Sequence, residues 1–168
     1  MYSDEGAPLY FDISNRLAEL EAVIDESLKK VIVFVPFTHT IEVIEQFLNK
    51  KKISNAIING AVSANKRAVH IQNFQELPDP RVLIIQPQAA AHGITLTAAN
   101  TVVWFGPTSS VETYLQANAR AHRKGQDHKV TVIMIQGSPA ESHMYTMLNG
   151  KVDSHNQLID LYNNILTE

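Results

Sequence analysis

The chain is predicted to be an α/β protein with a parallel sheet covered by helices on both faces. Five short apolar runs recur along it, "VIVFV", "AIIN", "VLII", "TVVWF" and "VTVIMI", and helical or loop patterns separate one run from the next. Strands that are apolar on both faces belong in a parallel sheet buried between two helical layers. At 168 residues, 45% of them hydrophobic, the chain suits one domain with a sizeable core.

The elements follow in order. Ile13, Leu17, Leu20, Ile24 and Leu28 recur at helical spacing, with Asp12 or Ser14 available as a cap, and predict an amphipathic leading helix within residues 1–30. Val31 to Val35 form a β-branched strand stopped by Pro36. Ile41, Ile44 and Leu48 then give a second helix, which ends at the basic turn Lys50, Lys51, Lys52. The cycle repeats with "AIIN", Gly60 and a Ser63-led helix through Phe74; with "VLII" and a loop; with "TVVWF" and a helix; and with "VTVIMI". Residues 137–168 are a helical appendage, expected as two helices parted by Asn149-Gly150. No internal repeat or long linker divides the chain, so 1–168 is expected to be a single domain. In such a sheet, ligands bind beyond the carboxyl ends of the strands.

Composition narrows the chemistry. Without cysteine there is neither a disulfide framework nor a thiolate zinc site. Seven histidines occur without H-x-x-x-H on a helix or H-E-x-x-H spacing, and no metal site is expected. The apolar runs are much shorter than the roughly 20 residues of a membrane span, and the first residues lack a signal-peptide pattern. The expected setting is the cytoplasm. A net charge of −3 argues against a free-standing, strongly basic nucleic-acid binder, although a local basic stripe can still serve.

That stripe is "YLQANARAHRKGQ", Tyr114 to Gln126. On a helix, Gln116, Arg120 and Arg123 share one face by their i, i+4, i+7 spacing, while Tyr114, Ala117 and Ala121 form the packing side. Guanidinium forks match phosphate oxygens, so two of them one turn apart suit a polyphosphate. A solvated helix with surface ion pairs is the alternative. His122 is assigned to packing or support. The loop "QPQAAAHGITLTAAN", Gln86 to Asn100, offers small residues for close backbone approach to a ligand and the hydroxyls of Thr95 and Thr97; it reads equally well as a tight crossover packed under a helix. Ser109 and Ser110 before Glu112 mark a helix N-terminus. No G-x-x-x-x-G-K-[ST] is present, nor a strand ending in paired acids for magnesium, so these arginines need a nucleotide held by another domain.

Taken together, "VIVFVPF", "INGAVSANKRAVHIQNF", "VLIIQPQAAAHGITLTAANTVVWFGP" and "YLQANARAHRKGQ" resemble the C-terminal RecA-like lobe of SNF2-family helicase-like ATPases of superfamily 2, with the compact phage and bacterial members the nearest in pattern. The resemblance runs from about Asp12 to Lys151, with the motif blocks in family order and R-x-H-R-x-G-Q at the end. It implies a RecA-like parallel sheet sandwiched between helices, with N- and C-terminal helical appendages. It implies that Arg120 and Arg123 act as arginine fingers toward the γ-phosphate of ATP, with Gln116, Gly93 and Thr95 beside the nucleotide. ATP and Mg2+ would be held mainly by the N-terminal RecA-like lobe of the same polypeptide. Phe37, Thr38, His39, Gly60, Arg67 and Thr97 would face DNA. The activity implied is that of an ATP-dependent DNA helicase or translocase in the cytoplasm of a bacterium or phage-infected bacterium, with the lone lobe inactive. The pattern departs from the family's at Ala90 and Ala91, where paired glycines are usual, and at Thr95, where an asparagine is. The rival reading is a degenerate, non-catalytic lobe that binds nucleic acid or a protein.

Overall fold

The computed structural model describes residues 12–91 and 93–166; His92 and residues 1–11 of the expected leading segment lie outside the described residues. Five parallel strands form one sheet: β1 (Lys30–Phe34), β2 (Asn55–Ile58), β3 (Val82–Ile85), β4 (Ala99–Trp104) and β5 (Thr131–Met134), in the order β2-β3-β1-β4-β5. Helix α1 (Ser14–Glu26) precedes β1, α2 (Thr38–Lys50) joins β1 to β2, and α3 (Ala64–Glu76) joins β2 to β3. A 3-10 turn (Pro87–Ala91) lies between β3 and β4, α4 (Val111–Asn118) between β4 and β5, and α5 (Pro139–Leu166) ends the described chain. The α/β sandwich read from the apolar runs is the observed architecture.

Strand alternation divides the core between the two faces. Val31, Val33, Val35 and Val103 pack with Leu20 and Ile24 of α1 and Ile41, Ile44 and Leu48 of α2. Ile32, Phe34, Leu83, Val102 and Trp104 pack with Phe74 of α3, Tyr114 and Ala117 of α4, and Tyr145 and Leu148 of α5. The central strand is buried from Val31 through Val35, and each such side chain contributes about 1.5–3 kcal/mol relative to exposure. Trp104 anchors the second face between Phe34 and Tyr114, with ring centroids at 4.9 and 5.0 Å.

The structure corrects three expectations. Leu28 is 97% exposed and lies outside the helix. Helix α1 stops earlier because Ser27 is extended and its hydroxyl donates to Val23 O, while Arg81 Nη2 donates to Ile24 O and Ser27 O at 2.8 and 2.7 Å. A cation on the last carbonyls is a favourable stop. Ile13 takes the N-cap position, and Asp12 Oδ1 accepts the Ser14 amide at 2.9 Å. Asn149-Gly150 does not break the last helix, since α5 runs through both residues. Glycine permits a break but does not impose one. Ser63 and Ser110 cap α3 and α4, accepting from Lys66 N and Thr113 N, as the sequence pattern predicts.

Candidate functional site

Helix α4 starts at the carboxyl edge of β4 and runs back along the sheet, but it ends at Asn118. Arg120 and Arg123 therefore lie in successive turns beyond it, and Gln116, Arg120 and Arg123 do not form one helical face. The packing side holds nonetheless: Tyr114, Ala117 and Ala121 are all buried. Gly125, at φ +98°, takes a left-handed conformation that lets the chain fold back, and Gln126 N donates to Arg123 O at 3.0 Å.

The turn is pinned to the crossover between β3 and β4. Arg123 Nη1 donates to Gly93 O, Ile94 O and Thr95 Oγ1 at 3.0, 3.3 and 3.1 Å. Arg120 O accepts Leu96 N at 2.9 Å. Gly93, at φ +70°, shapes the segment so that its carbonyl faces the arginine. The sequence reading missed Gln126 as a builder of this site. Its amide donates to Thr97 O, Ala99 O and Ala121 O at 3.2, 2.8 and 3.2 Å, which ties the basic turn to the start of β4. The signal was its fixed place at the end of R-x-H-R-x-G-Q. The segment Gln86 to Asn100 packs as a tight crossover would, with Ala90 in the core, and it turns Gly93 and Thr95 toward Arg123.

The electrostatics favour an anion beside the two arginines. Burial, and after it the positive charge of Arg123, lower the Arg120 pKa from its ordinary value. An anion within reach of the Arg120 guanidinium would offset both causes. Gln116 is exposed on α4 with its amide donating to Glu112 Oε1 at 2.9 Å. His122 is exposed, which removes the packing role expected for it.

The residues expected to face DNA fall into two places. Phe37, at the N-cap of α2, is 66% exposed, and Thr38 and His39 open that helix. Gly60 follows β2, its amide directed at Gln86 Oε1 at 3.5 Å, and Arg67 Nη2 donates to Asn59 O at 3.4 Å. These five share the carboxyl edge of the sheet. Thr97 does not: it sits just before β4 at the amino edge, accepting from Gln75 Nε2 near the end of α3 at 3.2 Å. The arginine turn, too, lies toward that end, away from the carboxyl edge where ligands were expected. The β3 to β4 crossover joins the two regions, beginning beside Gly60 and descending to Arg123.

Comparison with known proteins places the fold. Residues 15–125 match the helicase conserved C-terminal domain. The chain is 31% identical over 137 residues to ATP-dependent helicase fft2 of Schizosaccharomyces pombe, covering 81% of this chain and 11% of that protein. It is 30% identical over 132 residues to chromodomain-helicase-DNA-binding protein 1-like of Mus musculus, covering 78% of this chain and 15% of that protein. It thus spans only a small part of the curated relatives it matches. The crystal structure of the C-terminal part of the Fun30 ATPase domain superposes with a TM-score of 0.75 at 26% identity, over 83% of this chain and 48% of that one. The fft2 and mouse relatives are eukaryotic, which overturns the bacterial or phage-infected cytoplasm expected from the sequence. A Mycoplasma genitalium helicase matches at 37% identity over 112 residues, so the relatives span both groups and do not single out the phage and bacterial members. Among the described residues, no helix is long and apolar enough to cross a membrane. With about two thirds of its length matched and its sheet in the RecA-like arrangement, the chain belongs to the helicase conserved C-terminal domain family.

Proposed function

We propose that this lobe is the second half of an ATP-dependent DNA helicase or translocase motor. Its arginines act as fingers on ATP and Mg2+ held mainly by an N-terminal RecA-like lobe of the same polypeptide. The observation that carries the reading is the seating of Arg123 on Gly93, Ile94 and Thr95, with Arg120 three residues away and its charge disfavoured first by burial and then by Arg123. A cationic pair held at a fixed place, with no phosphate-binding loop of its own, suits a nucleotide presented across an interface. Arg120 and Arg123 stabilise the charge that develops on the transferred phosphoryl group, while Gly93 and Thr95 hold the guanidinium in place. Gln116 flanks the nucleotide once its amide leaves Glu112.

Phe37, Thr38, His39, Gly60 and Arg67 meet the DNA backbone at the carboxyl edge, where backbone amides and a guanidinium suit phosphate. Thr97 contributes from the opposite end of the crossover. That crossover supplies a route from nucleotide to DNA, because the same segment that carries Gly93 and Thr95 also carries Gln86, the neighbour of Gly60. Opening and closing of the interlobe cleft would then shift the DNA-side loops.

The test is DNA-stimulated ATP turnover by the full-length protein carrying this lobe. Arg120→Ala or Arg123→Ala should reduce it at least about a hundredfold, the loss expected when a positioned donor is removed from a transition state. Wild-type turnover in both variants would leave the non-catalytic reading in its place.

A further inference from the structure

Arg16 belongs to neither cluster, yet it joins three parts of the carboxyl edge. From α1, its Nη1 donates to Glu141 Oε1 on the first turn of α5 at 2.8 Å, and its Nη2 donates to Phe105 O just beyond β4. Its guanidinium also lies over the Phe105 ring, 4.8 Å from the centroid. The second oxygen of Glu141 accepts the Gly137 amide at 2.7 Å, which brings in the loop after β5. The two charged side chains are only 19% and 22% exposed. A Cβ at position 137 would stand 3.1 Å from Arg16 Cδ, so the loop passes this closely because it is glycine.

Beside this node lies a cleft of about 80 Å³ whose wall includes Arg16, Pro36, Phe37, Thr40, Phe105 and Glu141. The Arg16 Nε is buried there without a hydrogen-bond partner.

We propose that Arg16 is a positioning residue for the DNA-facing edge. Through Phe105 and Glu141 it holds the loop after β4 and the start of α5 against the end of β1, and so sets the place of Phe37, Thr38 and His39. This inference rests on reading that edge as the DNA side.

The experiment measures ATP turnover against DNA concentration in the full-length protein. The variants are Arg16→Gln, Glu141→Gln, both together, and the exchanged pair Arg16→Glu with Glu141→Arg. Each single variant should raise the half-stimulating DNA concentration about fivefold, with turnover lacking DNA and turnover at saturating DNA both within about twofold of wild type. The double Gln variant should be no worse than either single one, as expected of partners in one interaction. The exchanged pair should recover most of the loss. An unchanged half-stimulating concentration in both single variants overturns the proposal. So does a parallel fall of basal and saturated turnover, or failure of both single variants to fold, since either marks the pair as structural. Arg120→Ala, run alongside, keeps two failures apart. If it turns over ATP like wild type, the motor reading fails; if it is inactive while the Arg16 variants match wild type, only this inference fails.

Discussion

The indole Nε1 of Trp104 donates to Oδ1 of Asn118 across 3.0 Å, joining the end of the buried strand β4 to the last residue of α4. Trp104 is fully buried, and the arginine turn begins directly after Asn118. Removing this acceptor strands a buried N–H. Asn118→Ala should therefore destabilise the fold by about 1–3 kcal/mol, read as a lower urea midpoint with unchanged slope. An unchanged midpoint would mean that another acceptor replaces Asn118.

The two arginines should differ from the adjacent lysine. In the full-length protein, Arg120→Lys and Arg123→Lys should rescue turnover poorly, because an ammonium cannot reproduce the guanidinium fork. Lys124→Ala should matter much less. DNA affinity, measured in parallel, should stay near wild type for Arg120→Ala. If the alanine variants unfold instead, the arginines belong to the structure and not to the chemistry.

Alone, the 168-residue chain should hydrolyse no ATP with or without DNA, since it has no phosphate-binding loop. With a net charge of −3, it should bind duplex weakly and lose that binding steeply with salt. Turnover that disappears on mutating Arg120, or tight binding insensitive to salt, would contradict the two-lobe architecture.

Tyr145 donates to Trp104 O at 3.3 Å, and its pKa is raised above the ordinary 10.0, first by burial and then by the nearby Glu141 charge. The unfolded chain therefore ionises this phenol before the folded one does. Its contribution to stability is fully present below about pH 10 and is lost as pH rises further, by about 1.4 kcal/mol per pH unit. Tyr145→Phe should remove that part of the slope, so the stability gap between wild type and variant should narrow above pH 10. A gap that stays constant to pH 11 would refute the assignment.

Gly150 lies in mid-helix, with open space where a Cβ would stand. Gly150→Ala should stabilise the chain by up to about 1 kcal/mol through helix propensity. Gly125→Ala should do the reverse, costing about 1–2 kcal/mol for a left-handed backbone that alanine resists. Thermal unfolding of the two variants should move in opposite directions.

The sheet was readable because burial on both faces leaves its mark in each strand separately: "VLII" and "VIVFV" need no knowledge of their neighbours to be recognised. Helix ends were less so. Leu28 fits the apolar spacing of α1, but what stops that helix is Arg81, 53 residues further on and invisible to a local pattern. The basic stripe shows the same limit. Helical spacing grouped Gln116 with the arginines, whereas Gly125 and the bonds of Gln126 to β4 draw the chain out of the helix. Arg123 and Thr95 could be paired only by resemblance, since nothing in their spacing announces that an arginine will hydrogen-bond a loop 28 residues upstream.

The arginine turn and the carboxyl-edge residues hang from opposite ends of the same five strands, and a single crossover joins them. Such a layout makes the lobe separable in evolution. The loops after β1 and β2 can vary without disturbing the guanidiniums, provided that the chain length between Gln86 and Thr95 is kept. Insertions should accordingly be tolerated after Phe37 or Gly60 and be purged from the crossover, where one added residue would put the two ends out of step.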